Sequence, residues 1–460
     1  MSPISRSDRT PRRVLALADE LSGAAETAAA LRLPGRILLR PAHDARPAFG
    51  EAVVLDLDSR RLPPEAAAYA VRSAVPAGGD GAVLFKKVDS LLRGNLAAQT
   101  AAYAGGADGV VIAPALPVLG RTVRGGVVRL RGVPLHCTDA WRAEPHPAPR
   151  SVAEALGGLP TAPVPLRVVR GALTARLREL IAEGRHPVCD AETDDDLDAI
   201  ARSALELGPG VRLLGTGGLA AALGRWAGRT DGCSGTAQPH ARVTTAAPHH
   251  LPAGDDAADR PCGCRVAHRR SGRAVVDRPL LVVVGTAEPA AVAQIARLVA
   301  VGAQHIALPA RHLARPCPVP AGTFARLLLA LERPGVTVVS IDSDGLVDPA
   351  AAPRLAVGLA RTVADVAYDT DLVLTGGETA RRVLDALGVT RLEPVRQIHH
   401  GAVHSRTPVG RNVVTRSGSH GEADSLLRIA RALRRGPEPG PGHVPVSVPL
   451  VPSVSGGQAL

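Results

Sequence analysis

The fold class the sequence predicts is α/β: two doubly wound α/β domains joined by a long flexible linker. Three observations carry that expectation. Short aliphatic runs alternate with helix-like stretches through residues 12–228 and again through 279–432, as in βαβ units on a parallel sheet. Residues 229–278 between them show no hydrophobic period and few large aliphatics, so burial cannot offset the entropy of ordering them. The length, 460 residues, exceeds one ordinary core. The expected organisation is a domain at 1–228, a linker at 229–278, a second domain at 279–435 and a disordered Pro/Gly-rich tail at 436–460.

In the first half, RVLALA, AVVLDL, AVLFKKV, GVVIAPAL and VRLLG read as buried strands, and GAAETAAALR and ALTARLRELIAEG as helices between them. ETDDDLDAIARSALEL reads as a helix capped by Thr193, with Asp196 three residues on. Asp194, Asp195, Asp196 and Asp198 then complement the helix dipole, a structural role rather than a metal cluster. The second half contains PLLVVVGTAEPAAVAQIARLVA, DLVLTGGETARRVLDALG and NVVTRSGSHGEADSLLRIARAL, each a strand, a Gly-containing loop and an amphipathic helix.

Composition narrows the function. Hydrophobic residues make up 45% of the chain but aromatics only 2%, so aliphatic and alanine packing must fill the cores. The net charge of +11 suits anionic ligands. Three Phe, three Tyr and two Trp leave little for base stacking, which favours a small anionic substrate or a nucleotide over nucleic acid. Cys262 and Cys264, with His268 nearby, could hold a metal, but C-x-C without a second pair makes a poor zinc site, and free thiols in a reducing cytoplasm are the simpler reading. The N-terminus lacks a signal peptide's apolar region and no apolar run reaches membrane-spanning length, so a cytoplasmic protein without membrane contact is expected. A homo-oligomer is left open.

Four groups of residues carry candidate chemistry. Asp19 and Glu20 follow the first strand, where a carboxylate faces the crevice above a sheet; on local pattern alone, Asp19 or Ser22 as a plain cap of the next helix is the slightly favoured reading. FKKVDSLLRGN, residues 85–95, holds the only two lysines of the chain, Lys86 and Lys87. A compact ammonium kept where arginine is the rule points to a site a planar fork cannot serve. Lys87 adjoins the core of the stretch; Asp89, Ser90 and Asn95 suit hydroxyls, and Arg93 can grip a carboxylate through two hydrogen bonds. Gly120, Arg121 and Thr122 form a loop that could hold a second anionic group. Finally, the loops at Gly285-Thr286, Gly376-Gly377-Glu378-Thr379 and Gly418-Ser419-His420-Gly421 each feed a helix N-terminus and could together cradle phosphates in one crevice. No Walker-type G-x-x-x-x-G-K-[ST] occurs. GTGGLAAALG, residues 215–224, matches a dinucleotide fingerprint, but its acidic partner would fall in the linker, so a tight structural turn is the preferred reading.

In order, these residues resemble the four-carbon acid sugar kinase family, over about residues 13–432 without the linker. ADELSGA stands where the family has A-D-D-L-T-G-A, KVDSLLRGN where it has K-x-D-S-T-L-R-G-N, and PALPVLGRT where it has P-A-x-P-x-x-G-R-T; DAETDDDL, GTGGLA, LTGGETA and RSGSHGEADSL follow in the family's order. The resemblance implies an acid-sugar-binding N-terminal domain and an ATP-binding C-terminal domain. It implies transfer of the γ-phosphoryl group of MgATP to a hydroxyl of a tetronate-like acid, with Asp19 as base and Asp89 second. Lys87, Asp89, Arg93 and Asn95 would face the acid; Thr286, Gly376 to Thr379, Gly418 and Gly421 would face ATP. Glu20, Ser22, Leu91, Thr286, Glu288 and His420 depart from the family pattern. The competing readings are a member acting on another hydroxy acid, a non-catalytic binding protein on the same fold, and a nicotinamide-dependent hydroxy-acid dehydrogenase.

Overall fold

The computed structural model describes residues 13–434 apart from 41–44, 77–80, 143, 145, 229–277, 287–288, 316–318, 333, 343–350 and 419–420. Residues 229–277 of the linker expected at 229–278, the expected tail from 436, Cys262, Cys264, His268, Glu288, Ser419 and His420 lie outside the described residues.

The first domain runs β1 (Arg13–Ala18), α1 (Leu21–Leu31), β2 (Gly35–Leu38), β3 (Ala52–Asp56), α2 (Pro64–Ala74), β4 (Ala82–Lys87), α3 (Leu96–Ala104) and β5 (Gly109–Ala113). A small antiparallel sheet follows, of β6 (Arg121–Arg124), β7 (Val127–Leu130) and β8 (Val133–Pro134). Then come α4 (Val152–Ala155), β9 (Thr161–Val164), α5 (Leu166–Val169), α6 (Leu173–Ala182), β10 (His186–Cys189), α7 (Asp194–Glu206), β11 (Val211–Gly215) and α8 (Gly217–Ala227). The second domain runs β12 (Leu280–Val284), α9 (Pro289–Ala300), β13 (Gln304–Pro309), α10 (Ala310–Leu313), α11 (Ala321–Leu331), β14 (Val336–Asp342), α12 (Ala352–Ala364), β15 (Asp371–Thr375), α13 (Gly377–Ala386), β16 (Arg391–His399), β17 (Ala402–Arg406), β18 (Asn412–Arg416) and α14 (Ser425–Arg434).

The predicted α/β alternation is present in both halves. The sheet order is β13-β14-β12-β15-β18-β17-β16-β2-β3-β1-β4-β11-β5-β10-β9. Most ladders are parallel; β16, β17 and β18 are joined antiparallel. Antiparallel pairing of Arg391 with Leu38 and Leu392 with Ile37 carries the sheet from one domain into the other. One apolar cluster accordingly includes Leu17 and Leu31 of the first domain and Leu374, Leu384 and Leu392 of the second.

This topology decides where a ligand can bind. In the first domain the chain leaves β1 toward β3 on one side and β4 on the other; in the second it leaves β12 toward β14 and toward β15. Each reversal opens a crevice at the strand carboxyl ends. Asp19 follows β1, Lys86 and Lys87 end β4, and the loops at Gly285 and Gly376 follow β12 and β15.

Two local expectations concern helix starts. Thr193 accepts from the Asp196 N–H at 3.2 Å while the Asp196 side chain accepts from Thr193 N, a reciprocal capping box. Replacing Thr193 by Ala should cost about 1 kcal/mol of stability in a denaturation experiment. At α8, Thr216 accepts from Gly218 N and donates to Ala115 O. A Cβ at Gly217 would meet Glu26 Oε1 at 2.5 Å. A carboxylate therefore stands at the N-terminus of α8, where a dinucleotide pyrophosphate would have to approach, and the stretch 215–220 is a structural turn. Among the described residues no helix is long and apolar enough to cross a membrane.

Candidate active site

Asp19 is held by Arg60, a residue the sequence reading did not single out. Arg60 Nε donates to Asp19 Oδ2 at 2.9 Å and Nη2 to Oδ1 at 3.2 Å, while Asp19 O accepts from the backbone N–H groups of Ser59 and Arg60. The same guanidinium lies 2.9 Å from Glu20 Oε1 and 3.8 Å from Asp89 Oδ1. One cation thus gathers three carboxylates from the ends of β1 and β4. Burial alone would raise the Asp19 carboxyl, but Arg60, Lys86 and Lys87 outweigh it and hold it below the usual range. Glu20 goes the other way: burial, with Asp19 and Asp89 adding repulsion, raises it despite Arg60.

The 85–95 stretch folds back over this cluster. Leu91 N donates to Asp89 Oδ2 at 2.9 Å, Leu92 takes a left-handed φ of 61°, and Gly94 takes φ 86°. A Cβ at Gly94 would sit 3.2 Å from Arg60 Cγ and 3.4 Å from Asp19 Oδ2, so a side chain there would press on both. Both lysines are buried. Lys87 Nζ lies 3.3 Å from Glu26 Oε2 and donates to Val88 O, beneath α1, where Gly23 approaches its side chain. Lys86 Nζ donates to Lys87 O, and burial pushes its ammonium down to about 8 although Asp19 opposes this. The narrow space under α1 gives a physical reason for lysine in an arginine-rich chain: a guanidinium is bulkier and planar.

Arg93, Asn95 and Leu91 of the stretch are each engaged within the protein. Arg93 donates from Nε and Nη2 to the two oxygens of Asp89, each at 2.9 Å, so its fork is taken by a protein carboxylate. Arg60, Arg93 and Lys87 overcome the burial of Asp89 and hold its carboxyl far below the usual range. Asn95 Nδ2 faces the carbonyls of Ser59, Arg60 and Leu62, at 2.7–3.2 Å, and so fastens the loop that carries Arg60. Leu91 packs into the apolar core, and its carbonyl accepts from Trp141 Nε1.

Gly120 closes a turn at φ 63°, and Arg121 begins β6 with Nη1 donating to Ser90 Oγ. Among the described residues Arg121 has no carboxylate partner, and nearby Asp89 and Glu26 act on it only at longer range. Thr122 pairs with Arg129 in the small sheet and stays outside the cavity. That cavity is lined by Glu20, Ser22, Glu26, Lys87, Asp89 and Arg93, with Ser90 and Arg121 at one end. The second domain closes it with His400, Gly401 and Ser417.

The three expected glycine loops converge. A Cβ on Gly418 would lie 3.6 Å from both Gly376 Cα and Thr286 Cγ2, and one on Gly285 would collide with Thr379 Oγ1. Gly376 takes φ 88° as it enters α13, and its N–H donates to Arg416 O. Across the domain boundary, a Cβ on Gly377 would meet Glu20 Oε2 at 2.6 Å and Ser22 Oγ at 3.0 Å. Ser22 Oγ is buried without a hydrogen-bond partner. Glu378 pairs with Arg61 at 2.9 Å, and Gly421 turns at φ 103° next to Ser425. The N-terminus of α13 therefore points at the carboxylate end of the first domain's site. Arg381 and Arg382 reinforce the contact through Asp56 at 3.0 Å and Asp58 at 2.8 Å.

Arg60, Glu26, His400 and Ser417 are the lining or supporting residues that sequence reasoning missed. Arg60 is hidden among many arginines. Glu26 was within reach, since it shares a helix face with Ser22 and Gly23.

Comparison with known proteins agrees with this division of labour. A sugar-binding N-terminal domain family matches residues 14–223, and a nucleotide-binding C-terminal domain family matches residues 281–426. The chain is 33% identical to a D-threonate kinase of Cupriavidus necator, over 91% of this chain and 97% of that one. It is 32% identical to a D-threonate kinase of Bordetella bronchiseptica, over 91% and 96%. A solved structure from Salmonella typhimurium LT2 shares the fold with a TM-score of 0.67 at 21% identity, over 91% of this chain and 99% of that one. By these matches the chain belongs to the four-carbon acid sugar kinase family.

Proposed function

We propose that the protein transfers the γ-phosphoryl group of ATP to a hydroxyl of a small sugar acid of the threonate and erythronate class. The observation that carries this reading is the meeting of two unlike surfaces. Gly377 and Gly418, with Gly376 turning the chain into α13, present a helix N-terminus and room for a phosphate close to the backbone. Opposite them stand Glu20, Ser22 and the Arg60-bound carboxylates.

Arg121 and Ser90 bind the acid's carboxylate, since Arg121 alone of the cavity arginines is not taken by a carboxylate among the described residues. Lys87, Asp89 and Arg93 orient its hydroxyls. Glu20 takes over the role first expected of Asp19: its Oε2 faces the Gly377 backbone, and its raised pKa makes it the better proton acceptor. Asp19 positions Arg60. Thr286, Gly376 to Thr379, Gly418 and Gly421 bind phosphates, and closure of the two domains excludes water. Bound MgATP supplies the transferable phosphoryl group and charge neutralisation. Among the described residues no cluster of three or more His, Cys, Asp or Glu is placed to hold a metal, and Mg2+ would be carried by the nucleotide's phosphates.

An ATP-consumption assay over C4 to C6 sugar acids tests the proposal. Turnover of a tetronate supports it; no turnover together with no ATP binding by calorimetry would sink it. Arg121→Gln should raise KM for the acid about 10- to 100-fold with a much smaller change in kcat, the pattern of lost ground-state binding through a charged hydrogen bond.

A further inference from the structure

The turn between β16 and β17 carries a second-domain imidazole into the acid cavity. His400 Nε2 lies 3.9 Å from Glu26 Oε1, and the charged groups facing the ring are Glu26 from α1, Arg121 from β6 and Lys87 from the end of β4. On its own turn, His399 Nδ1 lies 3.0 Å from His400 O. Burial lowers the His400 pKa, Arg121 and Lys87 add to this, and Glu26 opposes it. Among the described residues Glu26 is the carboxylate paired with the ring, and it is shared with Lys87. The cavity therefore presents a guanidinium from one domain and an imidazole from the other, with Glu26 and Lys87 beside them.

We propose that His400 is a specificity-determining residue that, with Arg121, holds the acceptor's carboxylate between the two domains. This rests on the sugar-acid kinase reading above. The arriving carboxylate faces both the guanidinium and the imidazole, which line the same cavity. The imidazole takes a proton from solvent and donates it in a charge-assisted hydrogen bond, while the acid remains ionised. Because Arg121 and His400 sit on different domains, the same anion ties the domains together. The cavity holds only about 40 Å3 of water-sized space as it stands, so seating a tetronate calls for the two domains to move apart and then close on it. A neutral analogue of the same shape makes neither contact and is discriminated against.

Calorimetric titration of D-threonate and its primary amide into the full chain tests this, with wild type, His400→Ala and His400→Gln compared at pH 6 and pH 8. Wild type should bind the acid more tightly at pH 6 and the amide weakly at both. Each variant should lose about tenfold in acid affinity, worth about 1.4 kcal/mol, and lose the pH dependence, with the amide nearly unaffected. Under turnover the loss should show in KM rather than kcat. Variants that bind the acid as wild type does, or that lose acid and amide equally, overturn the role of His400. Binding needs no turnover, so the two readings separate. If the acid binds with the expected pattern but no ADP forms, the kinase reading falls and the carboxylate clamp stands. If neither D-threonate nor any other C4 to C6 acid binds wild type, both fall.

Discussion

Glu20→Gln is expected to lower kcat by about 10²- to 10⁴-fold, the range for loss of a positioned general base, with ATP affinity little changed. The amide keeps the size of the side chain and its approach to Gly377, so the loss reports the proton acceptor and not the shape of the cleft. The pH profile provides a second readout. Burial, helped by the neighbouring carboxylates Asp19 and Asp89, raises the Glu20 pKa, so wild-type kcat should fall on the acid side at a pH above the ordinary glutamate value. Glu20→Gln should abolish that limb, whereas Glu20→Asp, which restores the residue of the family's opening motif, should keep it and most of the rate. Asp19→Asn behaves differently. It loosens the two hydrogen bonds from Arg60 and should disturb KM and stability along with kcat. If Asp19→Asn removes the acid limb and Glu20→Gln leaves it, the base is Asp19. Steady-state kinetics with a coupled assay decide between the two.

Much of this site could be read along the chain because each part of it follows a strand. A βαβ fold must place residues such as Asp19, Lys87, Asp89, Gly376 and Gly418 at one sheet edge, and the reversal of strand order brings them to one crevice. What a linear reading misses is how charges pair across elements. Arg93 and Asp89 share a stretch, yet nothing in its pattern says that the guanidinium binds that carboxylate rather than a ligand. Arg60 lies 41 positions from Asp19 and looks like any other arginine until β3 places it beside β1. Asn95 resembles a hydroxyl reader, and only its three carbonyl partners identify it as a tie for the Arg60 loop. His400 comes from the other domain, in a turn with no motif to mark it. The division between the domains was legible from composition and period; the contact between them, through Leu392 beside Ile37 and Gly377 against Glu20, was not, since it depends on side-chain shape at a closed boundary.

Arg60→Gln should be the most damaging single change to stability, at about 3–5 kcal/mol, because it leaves buried carboxylates without their shared counter-charge. Arg60 is only one-fifth exposed and touches Asp19, Glu20 and Asp89. The thermal midpoint should fall by about 10 °C, given the usual dependence for a domain of this size. The pH dependence should also change sign. In wild type the Asp19 and Asp89 pKa values are depressed in the fold, so the folded state binds fewer protons than the unfolded chain in the acid range. Stability is then fully present above the unfolded carboxylate pKa, near 4, and is lost as pH falls toward the folded values. Without Arg60, burial and mutual repulsion dominate at Asp19 as they already do at Glu20: the folded Asp19 pKa moves above the unfolded one and that of Glu20 rises further. The folded variant then binds still more protons than the unfolded chain, and its stability declines as pH rises from about 5 to 8 more steeply than that of wild type, where only Glu20 contributes such a decline. Thermal melts of both proteins across that range should therefore diverge with rising pH. Parallel curves would mean that water or Lys86 and Lys87 suffice to hold the cluster, and that Arg60 serves the ligand rather than the fold.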